Sequence, residues 1–234
     1  MNEPVDYDAV LFDFGGTLFD HVTGPQLVSE AARTTHLDLD PTVADSVWVD
    51  IDHAAMDPAE VALGRDLDAA VWSARWTALY GLADRAGAGL GHAIDSSMND
   101  PLAWIPYADA VPTLEALRRV QVPVGVVSNT GWDVRAPFAG RGLEQLVSAF
   151  VLSCELGVAK PDAEIFLAAC RAVASEPART LFVGDNPVAD GGAAAAGLTV
   201  LLVPWAPLGA SHGLAAAARL CGADVGTGGP IELA

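Results

Sequence analysis

Five residues of the 234-residue chain have the types and the placement to do chemistry together: Asp13, Ser128, Lys160, Asp185 and Asp190. A carboxylate can attack a phosphoryl or carbon centre and form a covalent intermediate, provided the repulsion between nucleophile and substrate is neutralised. A second carboxylate close by is unfavourable unless a cation lies between the two. Mg²⁺ suits that position, being hard, oxygen-preferring and usually held by one or two carboxylates plus a substrate phosphate. The chain has 12 basic residues, and Lys160 is its only lysine. It supplies a fixed positive charge, while Ser128 and the amides of the Gly15-Gly16 loop can donate hydrogen bonds to phosphate oxygens. Asp190, five residues beyond Asp185, could hold Lys160 or a metal-bound water.

Taken singly, each has a plainer reading. A lone Asp at a strand end is usually a turn or cap residue, and Ser-Asn at a strand end or Lys-Pro before a helix reads the same way. The combination is harder to dismiss, because the only lysine of an acidic chain sits between two strand-end acids.

The elements that must position these groups are legible as alternating strands and helices. Ala9–Asp13 is an apolar run ending at a carboxylate and a Gly-Gly pair, which reads as a buried strand feeding a loop. Further strands are expected at 122–128, 149–152, 180–183 and 198–203. A helix fits 110–120, with Leu114, Leu117 and Val120 on one face. Another opens at Pro161, with proline in the first turn and Asp162 and Glu164 at the positive end of the dipole. Asn186-Pro187 reads as a helix cap and first residue, and Gly197 as a helix stop. This rhythm indicates an α/β fold with a doubly wound parallel sheet, in which ligands collect at the carboxyl ends of the strands.

Residues 20–105 break the rhythm, with no convincing strand and several helical patterns. The clearest spans 58–82, where Leu67, Val71, Ala74 and Ala78 form a stripe with Trp72, Trp76 and Leu79 beside it. Such a face usually packs helix on helix, and that is the expected role of the two tryptophans, with pocket lining as the alternative.

Composition narrows the partners. Apolar residues make up 52% and charged residues 18%, as in a globular chain. Thirty acids against 12 bases leave a formal charge of −18, which disfavours nucleic acid and anionic membranes as partners. The same field repels phosphorylated substrates at long range, so phosphate chemistry would need a local cationic site. Apolar runs such as 198–205 are far too short to span a bilayer. The acidic first ten residues carry no secretory pattern, and Cys154, Cys170 and Cys221 have unrelated spacings; reduced, buried cysteines in a cytoplasmic protein are expected.

With these motifs in order, the chain resembles the haloacid dehalogenase-like superfamily. Asp13-Phe-Gly-Gly-Thr17 is similar to its DxDG[TV] nucleophile loop at all but one position. Ser128-Asn129 matches the second motif, Lys160-Pro161-Asp162 the third, and the run from Gly184-Asp185 to Asp190 the GDxxxxD fourth. The resemblance covers about residues 7–19 and 107–210. It implies a Rossmann-like core of residues 1–19 and 106–234 and a helical cap of residues 20–105. It also implies that Asp13 is the nucleophile, that Asp13, Asp185 and the Gly15 carbonyl hold Mg²⁺, and that Ser128 and Lys160 bind phosphate. Gly16, Thr17 and Asn129 complete the implied substrate-binding set, with Asn186 and Asp190 in support. Only 32 positions separate Ser128 from Lys160, which leaves little room for a cap there instead.

One position departs from the family pattern. Its phosphatases carry a second Asp two residues after the nucleophile, as acid on the leaving group and base on water; here that residue is Gly15. Such catalysis is worth roughly 10²–10⁴-fold. Family dehalogenases also lack this Asp, but usually place a bulky residue there and do not use the Gly-Asp metal pair. Phosphonatases have a small residue there but need a cap lysine, and none is left once Lys160 is assigned to phosphate. A Mg²⁺-dependent phosphatase of small phosphorylated metabolites is therefore expected, working through a phospho-Asp13 intermediate. A 2-haloacid dehalogenase and a catalytically weakened binding or regulatory protein are the alternatives. Asp20 and His21 could replace the missing acid–base, although hinge residues are the commoner outcome. Arg33, Arg65, Arg75, Arg85 and Arg135 read as solvated surface charges.

Overall fold

The structure, a computed structural model, describes residues 7–225. The first half runs β1 (Ala9–Phe12), β2 (Phe19–Asp20), α1 (Gly24–Thr34), α2 (Pro41–Ala55), α3 (Pro58–Val61), α4 (Ala69–Tyr80), α5 (Leu90–Met98) and β3 (Ile105–Pro106). The second half runs α6 (Ala110–Arg119), β4 (Val124–Ser128), α7 (Arg135–Ala139), β5 (Ala149–Leu152), α8 (Ser153–Leu156), α9 (Ala163–Ala172), β6 (Thr180–Gly184), β7 (Thr199–Leu202) and α10 (Ala215–Leu220).

Five strands form one parallel sheet in the order β5-β4-β1-β6-β7. β1 is central and wholly buried, as are β4 and β6 beside it. Side chains alternate between the faces of the sheet. Val10 and Phe12 join Leu114 and Leu117 of α6 and Ala217 and Ala218 of α10 on one side. Ala9 and Leu11 join Phe182 and, from α9, Ile165, Phe166 and Ala169 on the other. Each fully buried Val, Leu, Ile or Phe side chain among these stabilises the fold by about 1.5–3 kcal/mol. The crossovers leave the carboxyl ends of β1, β4 and β6 side by side at one rim of the sheet.

β2 and β3 pair antiparallel through Phe19–Pro106 and Asp20–Ile105, so a two-residue ribbon stands where the helical insert leaves and rejoins the sheet. This corrects the expectation of a strand-free stretch; two-residue strands carry too little pattern to be read. Between them α1, α2 and α5 bury a separate apolar cluster, including Leu27, Val28, Val47, Ile51, Leu90 and Ile94. The side chains of Asp40, Asp57 and Asp68 cap α2, α3 and α4 by accepting main-chain N–H bonds. Each such cap contributes about 1 kcal/mol.

Several sequence expectations are corrected in detail. The single helix of 58–82 is three pieces, broken by Gly64 at φ 68° and restarted by the Asp68 cap. Ala74 and Ala78 of its expected stripe are exposed and Leu67 lies outside α4, whose buried residues are Leu79 and Tyr80. Val120 falls past the end of α6 and is exposed. α9 starts at Ala163 with Asp162 as its cap, so Pro161 precedes the helix. Asn186 accepts bonds from the N–H groups of Val188 and Ala189, but it caps a turn that continues as a 3₁₀ segment, Asp190–Ala194. The strands expected at 122–128 and 198–203 are shorter, 124–128 and 199–202. All three cysteines are free, but only Cys170 is buried. Among the described residues no helix is long and apolar enough to cross a membrane. The reading of the first residues as lacking a signal, and the outer limits 1 and 234 of the expected core, lie outside the described residues.

The 3₁₀ segment makes one close approach with a measurable consequence. A Cβ on Gly192 would stand 2.5 Å from the Pro161 carbonyl oxygen and 2.8 Å from its Cα, both backbone atoms. Gly192→Ala is therefore expected to destabilise the fold by roughly 1–3 kcal/mol through overpacking. The check is the urea midpoint, with an unchanged midpoint counting against this contact.

Candidate active site

Asp13 follows β1 directly, and its main-chain N–H donates to Val183 O of β6 at 2.9 Å, fixing the start of the loop to the neighbouring strand. The Phe14 N–H donates to Asp13 Oδ1 at 2.7 Å. Lys160 Nζ lies 2.7 Å from Asp13 Oδ1 and 2.7 Å from Asp190 Oδ1. Both contacts to Asp13 fall on the same oxygen, so Oδ2 is the oxygen they leave available. Asn129, one residue past β4, holds the lysine's main chain from both sides: its Nδ2 donates to Lys160 O at 2.8 Å, and Oδ1 accepts from Lys160 N at 2.7 Å. Asp190 Oδ2 accepts from Asn186 N at 2.9 Å.

Asp185 follows β6 and accepts from Thr17 Oγ1 at 3.2 Å. A Cβ on Gly16, which has φ 75°, would stand 2.5 Å from Asp185 Oδ2, so only glycine lets the loop lie this close. A cavity of about 330 Å³ is lined by Asp13, Gly15, Ser128, Asn129, Lys160, Asp185 and Asn186 from the sequence-derived set. Gly16, Thr17 and Asp190 are not among its lining residues; Gly16 and Thr17 back Asp185, and Asp190 backs Lys160.

The charges explain what this arrangement can hold. Oxygens of Asp13, Asp185 and Asp190 lie within 4.8 Å of one another. Three carboxylates against one ammonium leave two net negative charges. Burial pushes the Asp13 carboxyl up to about 6; Lys160 opposes this and the Asp190 charge adds to it. The Asp185 carboxyl is also raised, by burial first and Asp190 second. Burial pulls the Lys160 ammonium down, but Asp13 and Asp190 outweigh it and hold the group charged. A divalent cation would balance the excess, and the donors are hard oxygens, so this residue set fits Mg²⁺.

Apart from Trp72 and Trp76, for which pocket lining was the alternative, the remaining cavity wall was not anticipated from sequence. It comprises Trp72, Trp76 and Tyr80 of α4, Asp95 and Met98 of α5, Asn99, Trp104, Thr130, Trp132, Val134, Ala189 and Phe14. Both tryptophans of α4 thus reach the cavity, the alternative to the favoured packing role; Trp76 also touches the insert's apolar cluster. The i, i+4 spacing of Trp72 and Trp76 was the available signal, and assigning the stripe to the wrong face of the helix hid it. Trp104 stacks on Trp132 at 5.6 Å and packs on Phe14 at 5.0 Å. A Cβ on Gly15 would sit 3.7 Å from the Trp104 ring, an ordinary contact.

Asp20 and His21 do not line the cavity. Asp20 Oδ2 accepts from the Tyr107 hydroxyl at 2.9 Å, and the His21 ring bonds to Val22 O at 2.9 Å. Both are therefore engaged at the β2–β3 ribbon. Arg33 and Arg85 pair with acids at the surface and Arg135 bridges Asp133 and Glu155. Arg65 is mostly buried, donating to Ala55 O and facing Glu60, because it packs over the Trp76 ring at 4.9 Å; the expectation of a solvated charge fails there. Arg75 binds Glu60 through two bonds. His212, unread in the sequence, bonds through Nε2 to Thr17 O at 2.8 Å and stacks on Tyr107, supporting the loop that follows Asp13.

The family model for haloacid dehalogenase-like hydrolases matches residues 7–197. The chain belongs to that family. Among curated relatives, this hydrolase is 34% identical over 83 residues to the glyceraldehyde 3-phosphate phosphatase of Methanopyrus kandleri, covering 35% of each chain. It is 33% identical over 85 residues to the phosphoserine phosphatase of Thermus thermophilus, covering 36% of this chain and 34% of that one. The matches thus span about a third of those relatives' length. Among solved structures it is similar to the L-2-haloacid dehalogenase of Xanthobacter autotrophicus: TM-score 0.61, 25% identity, 84% of this chain and 77% of that one. A HAD phosphatase from Thermococcus onnurineus has TM-score 0.57 and 23% identity, over 83% and 85% of the two chains, and at that identity speaks for the fold alone.

Proposed function

We propose that this haloacid dehalogenase-like hydrolase is a Mg²⁺-dependent phosphatase of small metabolites in which Asp13 is the nucleophile and residues 20–105 form the cap. The observation that carries this reading is the acidic cluster around Lys160, whose two net negative charges call for a divalent cation beside the attacking carboxylate. Dehalogenation, in which a carboxylate attacks carbon and a halide leaves, has no comparable need for Asp185. The phosphatases among the curated relatives support the same choice.

In this mechanism Asp13 and Asp185, with the Gly15 carbonyl, would hold Mg²⁺, which supplies charge neutralisation for the phosphoryl oxygens. Lys160 and Ser128 bind the phosphate, and Asn129 keeps the lysine's main chain in register. Asp13 attacks phosphorus, the bond to the leaving oxygen breaks, and water then cleaves the acyl phosphate on Asp13. Asp190 holds the ammonium in place and takes no part in bond making.

Gly15 leaves both proton transfers without a dedicated side chain. An activated aryl phosphate needs little help in leaving, but water attack still lacks its base. We expect 4-nitrophenyl phosphate with Mg²⁺ to release a burst of nitrophenol stoichiometric with enzyme, followed by slow turnover. Gly15→Asp fits beside Trp104 and should remove the burst while raising steady-state turnover by roughly 10²-fold or more. Failure to raise turnover would mean that the missing acid–base is not limiting. No nitrophenol at all, with halide released from 2-haloacids, would replace this reading by dehalogenation, which the apolar cavity wall and the Xanthobacter relative favour.

A further inference from the structure

The cavity has two chemically different sets of lining residues. One is the polar set around Asp13, Lys160 and Asp185; the other is aromatic, with one carboxylate, Asp95. Lys160 is the only basic residue in the lining, and it is already bound by two acids. Asp95 accepts from the Thr77 hydroxyl at 3.0 Å and the Asn99 amide at 3.0 Å, both neutral donors. Trp76 Nε1 is buried with no partner, a donor that an oxygen of a bound molecule would satisfy. Arg65 covers the Trp76 ring, faces Glu60 and Asp66 at 3.9 and 3.8 Å, and does not line the cavity.

We infer that the cavity selects phosphate esters whose leaving group ends in an alkylated ammonium, held among Trp72, Trp104 and Trp132 and neutralised by Asp95. The inference rests on the phosphatase reading above and names its substrate class. Indole rings attract organic cations through their quadrupole, most strongly where water is excluded. A leaving group bearing a carboxylate or second phosphate would meet Asp95 with no cation to offset it.

The test compares phosphocholine with 3,3-dimethylbutyl phosphate, which has the same shape without the charge. The wild type should favour phosphocholine by roughly tenfold or more in kcat/KM, chiefly through KM. Asp95→Asn keeps the volume and can still accept from Thr77, and it should bring the two esters together. Thr77→Val removes the tie between α4 and α5 but leaves the charge, so the preference should persist; if both variants lose it alike, Asp95 only braces the helices and the inference fails. Calorimetric binding of choline against 3,3-dimethylbutanol reads the same preference without turnover. Choline binding that is lost in Asp95→Asn, with no nitrophenol released from 4-nitrophenyl phosphate, would sink the phosphatase reading and leave the cation site standing. Equal handling of the charged and neutral members of both pairs would overturn the inference.

Discussion

Asp13→Asn should lower steady-state hydrolysis of an aryl phosphate by about 10⁴–10⁶-fold, the range over which removal of a covalent nucleophile acts, while the protein stays folded. Asparagine has the shape of aspartate, and its Oδ1 can still accept from Phe14 N and Lys160 Nζ. What it lacks is the charge and the free electron pair on the second oxygen. Lys160 keeps Asp190 as a partner in the variant, so no buried ammonium is stranded. The wild-type carboxyl is pushed up to about 6, chiefly by burial, so its ionised form opposes folding at neutral pH. Thermal melting in metal-free buffer at pH 7.5 should therefore show Asp13→Asn as stable as the wild type or more so. Turnover within tenfold of wild type would rule out Asp13 as nucleophile. A folded but inactive variant separates chemistry from structure, which a truncation to alanine would not do as cleanly.

Two different kinds of information explain what was legible before the structure. The sheet was readable because β1, β4 and β6 are apolar on both faces and stop at polar residues, so composition alone marks where each strand ends. Those ends place Asp13, Asn129 and Asp185 at one rim, and Lys160 is reached from there because Asn129 binds its main chain. The wall opposite was not readable. Trp104 comes to lie beside Gly15 through the β2–β3 ribbon, across 89 positions that no local pattern connects. The break at Gly64 and the Asp68 cap rotate α4 relative to the continuous helix expected from periodicity, and this turns Trp72 and Trp76 into the cavity. A glycine in a helical pattern was the one local warning. Asp95 gave none, since an acid on a helix is ordinarily a solvated charge.

Lys160→Met is expected to be the most destabilising single change at the rim, by about 3–5 kcal/mol, because it strips a buried ion cluster of its only cation. Methionine fills similar space, so the loss would be electrostatic more than steric. Asp13 and Asp190 would then face one another across the vacated position with no ammonium between them, and the Asp13 carboxyl, already raised by burial, would be driven further upward. In the unfolded chain such groups titrate near about 4. Above that value the folded variant binds more protons than the unfolded one, so its stability falls as pH rises. The deficit relative to wild type, measured by urea denaturation in metal-free buffer, should be larger at pH 8 than at pH 5. Adding Asp13→Asn removes one of the two opposed charges and should restore part of the loss, a coupling of roughly 0.5–3 kcal/mol. A strictly additive double variant, with a deficit that ignores pH, would mean that Lys160 contributes packing and not charge to this rim.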